Sequence, residues 1–499
     1  MASFTSIGAY DATTVFPSFR GLMQYGDGIG TDPRYAREVL NMETPGGVLQ
    51  PVAACKLLAP ELEAPIETLA MLYRRWHTSG DEKELFIAAS AGKLYAATPS
   101  ATQWTELPMP DGISSYQSNT WSCVSYEINP EGSAASVDVM LLSNAYDGMV
   151  MVRGDNLGVS VVGTPKKFGV IARYAERIWG GAILEDPDML VYSAPFDPED
   201  WAKTIENPED GAGDIMQPSW DGDSFTALEP FGSQLIAFKR TRVWRVLGTD
   251  PGEYTFKEQY GGGAPYAATI ASNAERIFML TEDGVAVYDG LSVTPYQQEY
   301  VRLFMQRVNK AALDQASACF WRGSYYCALP IDGSETNNAV LIHNTTDGSW
   351  LVREDVLVED FLPSETGLFF TSASTPGRIW QWQENSWELG EATQGMTRWV
   401  SGWNDLSCKD VAKSGFRVYL LAEVQDKPVN LVVAIETEKK IKRKTYRIEP
   451  AKNGKLFKQK RLQFGGSCRR FRLIIETPAG SAPWRVVGGI TVKAEVDPD

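Results

Sequence analysis

Histidine is nearly absent from this sequence, which has two histidines, His77 and His343, among 499 residues. The sequence therefore offers almost no residues for a zinc site built on histidine or for a catalyst that uses a histidine pair. We expect His343, in the segment VLIHNTTDGSW, to form structural hydrogen bonds at a strand end. Walker loops and the motifs Gly-x-Ser-x-Gly and His-Glu-x-x-His are also missing. The sequence predicts no catalytic residue, no metal ligand and no cofactor.

Long apolar runs are missing too. No run approaches the roughly 20 residues that span a bilayer, and the segment MASFTSIGAYDATTVF lacks the basic start and apolar core of a secretory signal. We therefore expect a protein without a membrane span that is used without export. The six cysteines include no Cys-x-x-Cys pair, and in this context buried, reduced thiols are favoured over disulfides.

Charge is distributed unevenly along the chain. From residue 401 onward there are 20 Lys plus Arg against 11 Asp plus Glu, a balance of +9, and the remaining 27 against 52 leave −25 for the first 400 residues. One acidic stretch, 197–214, invites a calcium reading because hard cations bind several oxygens. Its spacing is not that of an EF-hand, so a solvated acidic loop is favoured. Its acids are Asp197, Glu199, Asp200, Glu206, Glu209, Asp210 and Asp214.

Pairs of short apolar runs joined by turn residues recur along the first 400 residues, as in ERIFMLTEDGVAVYDG. Their starts lie near residues 84, 137, 176, 233, 275, 324 and 367. A spacing of roughly 40–57 residues is typical of β-propellers, whose blades are four-stranded sheets. The pattern predicts an all-β fold with a propeller of about seven blades over residues 60–392. Two or three separate sandwiches are the alternative.

Helical periodicity is scarce. Apolar spacing favours one helix over residues 299–315, and a second short helix is plausible near DPRYAREVLNM. The tryptophans Trp201, Trp380 and Trp382 are suited to blade packing, with stacking on a sugar as the alternative.

The chain changes character near residues 395–402. Segments such as FRVYLLAEV and RRFRLIIE alternate strictly with a period of two, which indicates an antiparallel, immunoglobulin-like β-sandwich. The predicted organisation is an N-terminal arm with the first strands at 1–59, the propeller at 60–392 and a basic C-terminal sandwich at 393–499.

The strongest charge feature lies between residues 439 and 472, with 14 basic residues and one acid, Glu449. It lacks a recognition helix or an aromatic platform of the kind that reads nucleic acid. Three interpretations stay open: a solvated face, a surface for an acidic protein, and nucleic-acid binding. The candidate partner-binding residues are Lys439, Lys440, Lys442, Arg443, Lys444 and Arg447.

Two stretches, DPRYAREVLNMETPGGVLQP and IWGGAILEDPDMLVYSAPFDPEDW, followed by the period-two β domain, carry a resemblance. In this order and style the chain resembles tail hub and nozzle proteins of tailed bacteriophages, which are β-propeller proteins that form rings. The resemblance implies a structural virion protein in a homo-oligomeric ring, often a hexamer, assembled in the host cytoplasm. It also implies contacts with adjacent tail proteins, such as an adaptor or fibres, and passage of genomic DNA without sequence-specific binding.

Two other functions stay open at this point. One is a receptor- or glycan-binding propeller, and the other is a propeller glycosidase or lyase that uses a carboxylate pair. The sequence singles out no such pair among its 63 acids, so a non-enzymatic protein is the favoured expectation.

Overall fold

The computed structural model describes residues 9–75, 83–129, 136–204, 209–216, 222–450 and 458–497. These residues form an all-β protein in which the predicted propeller region is a series of four-stranded antiparallel sheets. Among them, no helix has the length and apolarity needed to cross a membrane.

Six of these sheets each use four consecutive strands. The first two contain β6 (Thr68–Tyr73), β7 (Glu84–Ser90), β8 (Lys93–Ala97) and β9 (Thr105–Glu106), then β10 (Ser122–Ile128), β11 (Val137–Asn144), β12 (Gly148–Arg153) and β13 (Val159–Val162). The next two contain β14 (Val170–Tyr174), β15 (Arg177–Gly181), β16 (Met189–Tyr192) and β17 (Gly213–Met216), then β18 (Ala227–Phe231), β19 (Gln234–Phe238), β20 (Val243–Leu247) and β21 (Thr255–Gln259). The fifth and sixth contain β22 (Ala271–Ser272), β23 (Ile277–Thr281), β24 (Gly284–Tyr288) and β25 (Val293–Pro295), then β26 (Ser317–Trp321), β27 (Ser324–Leu329), β28 (Ala339–Asn344) and β29 (Ser349–Arg353).

The seventh sheet is completed by a strand from the other end of the chain. Its three consecutive strands are β30 (Phe361–Pro363), β31 (Leu368–Thr371) and β32 (Arg378–Gln381), and its outer strand is β5 (Lys56–Glu61), which pairs antiparallel with β32. The predicted boundary at residues 59 and 60 therefore falls inside β5.

Apolar cores join each sheet to the next and the seventh to the first. At the last of these contacts Leu58 and Phe369 of the seventh sheet pack with Met71 and Phe86 of the first, and the other six cores lie between consecutive sheets. Stacking sheets in a closed ring buries both faces of each sheet. This is the arrangement of a seven-bladed β-propeller, and the seven sheets are its blades.

A hydrogen bond crosses every contact between neighbouring blades. In each of these bonds, one partner is the hydroxyl of a threonine, serine or tyrosine side chain. The bond that closes the ring runs from the Thr366 hydroxyl of blade seven to Glu84 of blade one. The other six contacts use Thr68–Trp121, Ser122–Ile171, Tyr174–Ser233, Ser272–Glu229, Tyr325–Thr269 and Ser317–Asp360.

The seven hairpins predicted from the sequence are the two middle strands of the seven blades. The segment ERIFMLTEDGVAVYDG, for example, forms β23 and β24, which pair from Ile277–Tyr288 to Thr281–Gly284. These strands are buried along their whole length apart from Thr281, which is why their apolar pattern is the clearest in the sequence.

The N- and C-terminal strands build a separate two-sheet sandwich. One sheet has the order β1-β39-β34-β37 and the other contains β2-β33-β38-β35-β36. Phe416 and Phe471, from opposite sheets, pack with ring centroids 4.9 Å apart in the shared core. The two-sheet organisation agrees with the sequence pattern, and the immunoglobulin-like topology stays a prediction. The strands are β1 (Tyr10–Phe16), β2 (Ala36–Leu40), β33 (Thr397–Ser401), β34 (Ala412–Val424), β35 (Val429–Thr437), β36 (Ile441–Ile448), β37 (Lys458–Phe464), β38 (Phe471–Thr477) and β39 (Trp484–Asp497).

A single strand, β2, links the sandwich to the propeller. It pairs antiparallel with β33 of the sandwich, and its last residue, Leu40, pairs with Val352 of β29 in blade six. Blade six and one sandwich sheet are thereby one continuous sheet of nine strands. A small ribbon of β3 (Met42–Glu43) and β4 (Gln50–Pro51) follows β2. Strands of the predicted N-terminal arm thus belong to the sandwich.

The helix predictions were wrong in two places. Residues 36–40 form β2, because pairing on both sides of the strand outweighs a weak helical pattern. Residues 299–315 are broken into short pieces, since Val308 forms a β-bridge with Ile331 and interrupts the turns. Within the described ranges the helical elements are α1 (Arg302–Met305), α2 (Ser386–Leu389) and 3₁₀ turns at Pro45–Gly47, Ala267–Thr269, Gln298–Tyr300 and Lys310–Gln315.

Candidate functional site

The basic segment predicted from the sequence forms the outer edge of the nine-stranded sheet. Lys439 and Lys440 lie in the turn that joins β35 to β36, and Lys442, Arg443, Lys444 and Arg447 lie on β36 itself. Among the described residues, β36 pairs only with β35. The structure thus brings all six candidate residues together on one strand edge and its turn.

The six residues differ in their intrachain contacts. Arg443 donates to Glu476 at 3.2 Å and Arg447 donates to Glu449 at 2.6 Å. Within the described residues, no carboxylate forms a salt bridge with the four lysines, and the Lys444 ammonium lies 5.6 Å from the centre of the Phe464 ring. Lys439, Lys440 and Lys444 are exposed. The lysines therefore supply charge that the chain does not neutralise, whereas both arginines are positioned by acids.

Arg443 is the end of a chain of ion pairs that runs across the sheet. Arg398 donates to Glu38 of β2 and to Glu476 of β38, each at 3.2 Å, and Glu476 also accepts from Arg443. Burial raises the pKa of Glu38, which lies at the opposite end of this series of ion pairs from Arg443. Sequence reasoning missed this network because its members are far apart in the chain. The only indication of this network in the sequence is that charged residues occupy alternate positions on the strands that form it.

A groove with a volume of about 870 Å³ lies across blades seven, one, two and three. Its walls combine the aromatic residues Tyr73, Tyr126 and Phe369 with basic residues such as Lys56 and Arg173. A volume of this size accommodates a small organic ligand.

The carboxylates that line the groove are largely engaged within the protein. Asp138 accepts hydrogen bonds from the backbone N–H and the guanidinium of Arg75 at 2.7 and 2.8 Å, and Arg75 also donates to Glu127. Glu84 accepts the Thr366 hydroxyl that closes the ring of blades. The third carboxylate, Glu365, is exposed. A glycosidase needs two carboxylates placed on either side of a sugar, and two of the three carboxylates among the described lining residues serve structural contacts.

The other features singled out in the sequence have structural partners. The ammonium of Lys203 pairs with Asp214, Asp197 accepts from the backbone N–H of Glu199, and Asp200 accepts from that of Ala202. Glu206 lies outside the described residues. Among described residues, no group of three or more His, Cys, Asp or Glu has the arrangement of a metal site.

The tryptophans pack within a blade or between neighbouring blades. The Trp201 ring lies 5.2 Å from that of Phe168. Trp382 is buried under the Arg353 guanidinium at 4.3 Å, and the Trp380 indole donates to Thr375 at 2.8 Å. These contacts agree with the packing interpretation.

The six cysteines are unpaired in the structure. Burial raises the pKa of the Cys123, Cys327 and Cys468 thiols to about 12, so these thiols are not nucleophiles at neutral pH.

Comparison with known proteins gives no family for this chain. No protein family and no curated protein sequence matches it. The solved structures that are similar include BBS1N in complex with ARL6DN, at 9% identity and TM-score 0.35, covering 57% of this chain and 78% of that one. The Neurospora crassa Pan2 WD40 domain is 9% identical with TM-score 0.33 and coverage of 66% and 95%.

A third similar structure is a glycoside hydrolase family 43 arabinoxylan arabinofuranohydrolase from Bacillus subtilis in complex with cellotetraose. It is 10% identical, with TM-score 0.27 and coverage of 86% of this chain and 95% of that one. With TM-scores this low, the strand pairing and the seven apolar cores described above, not these similarities, define the fold.

Proposed function

We propose that this chain is a non-enzymatic structural protein, a subunit of a ring in the tail of a bacteriophage, of the hub or nozzle type. In this role the propeller, with an immunoglobulin-like sandwich at its side, forms part of a rigid wall around the DNA exit channel. The ring, a hexamer by the family resemblance, also provides docking surfaces for adjacent tail proteins or fibres.

The observation that carries this proposal is the continuous nine-stranded sheet that joins the two parts of the molecule. Two domains joined by a flexible linker move independently by default. Here β2 is hydrogen-bonded into both parts, and one apolar core contains residues of blades five and six and of both sandwich sheets. Such a body transmits force and keeps its docking surfaces in fixed positions, as a ring subunit must.

The charge distribution supports a ring of identical subunits. The basic edge at β36 and the acidic first 400 residues lie on one rigid body. In a cyclic assembly, one surface of each subunit contacts a different surface of the next. A basic edge beside the acidic propeller of a neighbour would speed assembly and fix its register.

Electron microscopy of the purified chain, with and without a charge-reversed edge, tests the proposal. We expect closed rings of the wild type at low ionic strength, weakening as salt rises because exposed charges are screened within about 8 Å at physiological salt. Antibodies against the chain should label the tails of purified virions.

Changing Lys439, Lys440, Lys442, Arg443 and Lys444 together to glutamate should abolish the rings. Single changes should do little, because exposed ion pairs contribute about 0–1 kcal/mol each. The matched control reverses five exposed basic residues of the propeller, namely Lys56, Lys83, Lys257, Arg302 and Lys310, and should assemble normally. A chain that stays monomeric at every salt concentration and is absent from virions would contradict the proposal.

Carbohydrate binding is the second candidate function, and the groove across blades seven, one, two and three favours it. Tyr73 is a partly exposed aromatic residue in a space that fits a short oligosaccharide, while Tyr126 and Phe369 line that space from the apolar cores between blades. A glycan array tests binding, and a polysaccharide screen tests hydrolysis. Saturable hydrolysis that is lost in Glu84→Gln or Glu365→Gln would establish a glycosidase in place of a structural protein.

A further inference from the structure

We propose that β36 is a docking strand, to which an extended acidic segment of a neighbouring protein adds as a tenth strand of the nine-stranded sheet. The inference deepens the proposed function, on which it rests, by naming how the basic edge binds its partner. Strand addition is a recurring mode of peptide recognition at exposed sheet edges.

The strand pairing identifies the backbone groups that are available on β36. The Thr437 N–H donates to the Lys440 carbonyl at 2.9 Å, so this pair is hydrogen-bonded across the hairpin. Bonded and non-bonded pairs alternate along an antiparallel ladder. The next pair, Glu436–Ile441, is therefore non-bonded, and the same holds for each second pair. Hence the residues whose N–H and C=O groups point away from β35 are Ile441, Arg443, Thr445 and Arg447.

The far side of β35 confirms this alternation. The Leu473 N–H donates to the Ser401 hydroxyl, which places the backbone groups of Leu473 toward β33. Those of Ile474 and Glu476 then face β35, opposite Ala434 and Val432. Ala434 and Val432 therefore bond to β38, and the backbone groups of their partners on β36, Arg443 and Thr445, point away from β35 and pair with no other strand of the described residues.

The side chains on this edge select an acidic partner. Arg443 and Arg447 are exposed on the outer face, whereas Lys442 and Lys444 point to the face that carries buried Ile448. Basic residues on an edge strand prevent pairing with a second copy of the same strand. The same charges favour a strand that carries carboxylates on both of its faces.

A proline at position 445 distinguishes strand addition from simple charge attraction. Thr445 does not donate to β35, so Thr445→Pro removes no intrachain hydrogen bond, and proline is tolerated on edge strands. It removes one N–H from the docking edge and obstructs the incoming backbone. Thr445→Ala is the matched control, because it removes the side chain and keeps the N–H.

The probe is a peptide of five Glu-Thr repeats, with five Lys-Thr repeats as the charge control, and binding to the full chain is measured by fluorescence anisotropy. We expect the acidic peptide to bind the wild type and Thr445→Ala with the same Kd to within about twofold. Loss of a backbone hydrogen bond should weaken binding to Thr445→Pro about tenfold. Equal binding to wild type and Thr445→Pro would overturn strand addition and leave an electrostatic surface only.

Hydrogen exchange on the wild type gives a second reading that does not depend on the folding of a variant. The acidic peptide should slow exchange of the 441–447 amides that face the edge, and unchanged exchange there would also overturn the proposal. If duplex DNA displaces the acidic peptide equally well from wild type and from Thr445→Pro, the proposal is overturned in favour of nucleic-acid binding.

Failure of this inference is distinguishable from failure of the proposed function. If Thr445→Pro forms rings as the wild type does and the peptide does not bind, the docking-strand inference is wrong and the ring proposal stands. If peptide binding requires the Thr445 N–H but the chain is absent from virions, the docking-strand inference stands and the proposed tail role is wrong.

Discussion

The single described histidine shows how strongly one buried side chain depends on its surroundings. His343 is fully buried on β28, stacked on Trp350 with ring centroids 4.2 Å apart. Its Nδ1–H donates to the Ser349 carbonyl at 3.2 Å, and Nε2 then accepts the Tyr296 hydroxyl at 3.2 Å. Both nitrogens are satisfied in the neutral ring, and burial lowers the pKa of His343 to about 4.

This lowered pKa predicts a loss of stability in mild acid. Above pH 6.5 the ring is neutral in both states and contributes no pH dependence. Between pH 6.5 and 4 the unfolded chain binds a proton that the folded chain does not, so the free energy of unfolding falls, by about 3 kcal/mol in total. Urea unfolding at a series of pH values should show this fall in the wild type, and the part due to His343 should be missing in His343→Gln.

Carboxylates also titrate in this range, so the informative quantity is the difference between the two proteins. His77→Gln, which keeps His343, serves as the control and should follow the wild type. A pH dependence that is identical in wild type and His343→Gln would show that the imidazole does not titrate differently on folding.

The structural role of a residue was predictable from the sequence only where its interaction partners are close to it in the chain. The structural role of His343 followed from its place at a strand end. The burial of Arg353 did not, because the Ala53 carbonyl, which accepts from the Arg353 guanidinium beside the local partner Asp355, is brought close only by the fold. The positions of the six basic residues on one edge were indicated by their clustering in sequence, whereas Glu476, which positions Arg443, was not singled out.

At the scale of elements, closure of the ring depends on a tight approach between β5 and the hairpin of blade seven. The Leu62 N–H donates to the Gly377 carbonyl at 2.9 Å. A Cβ atom added to Gly377 would lie 2.0 Å from the Leu62 carbonyl oxygen, a contact with backbone that no rotamer change relieves.

Gly377→Ala should therefore destabilise the protein by about 1–3 kcal/mol, as inserted atoms do in a well-packed site. Thermal unfolding measures this as a lower Tm. The matched control is Gly163→Ala, where the added Cβ has no neighbour within 4 Å, and its Tm should stay near that of the wild type. Equal melting of both variants would mean that β5 does not close the ring as described.

The sequence predicted elements in proportion to their burial. The middle hairpins of the blades are apolar on both faces and were predicted in all seven blades. The outer strands are short and partly exposed, as in Thr105–Glu106, so their pattern is weak. Insertion of β2 between β29 and β33 was not predictable, because that pairing joins residues more than 300 positions apart.

At the scale of the whole molecule, we expect the propeller and the sandwich not to fold as separate units. A chain of residues 1–395 lacks β39, the partner of β1, and β33, one of the two partners of β2, and it leaves apolar sandwich residues such as Phe16 and Val39 uncovered. Such edges and patches aggregate. Expression of 1–395 should give insoluble protein, and co-expression with 396–499 should restore a soluble complex, as size-exclusion chromatography would show.

A chain of residues 53–395, which lacks β1 and β2 as well, is the control for this truncation. It keeps β5 and has no orphaned sandwich strands, so it should give more soluble protein than 1–395. A monomeric 1–395 that melts as cooperatively as the full chain would show that the nine-stranded sheet does not couple the two parts.

The pairing of β1 with β39 joins residues roughly 480 positions apart, and this separation determines how long β1 stays unpaired during synthesis. A ribosome adds about 5–20 residues each second, so β1 waits roughly 20–100 s for the strand that pairs with it. Through that interval the propeller blades can form one by one, but the sandwich cannot. A chain released before β39 would therefore lack that strand, and leave β1 unpaired, in the sandwich sheet that packs against the sheet carrying β36. If β36 binds a partner as proposed, a subunit therefore has a complete sandwich behind that strand only when translation has reached β39.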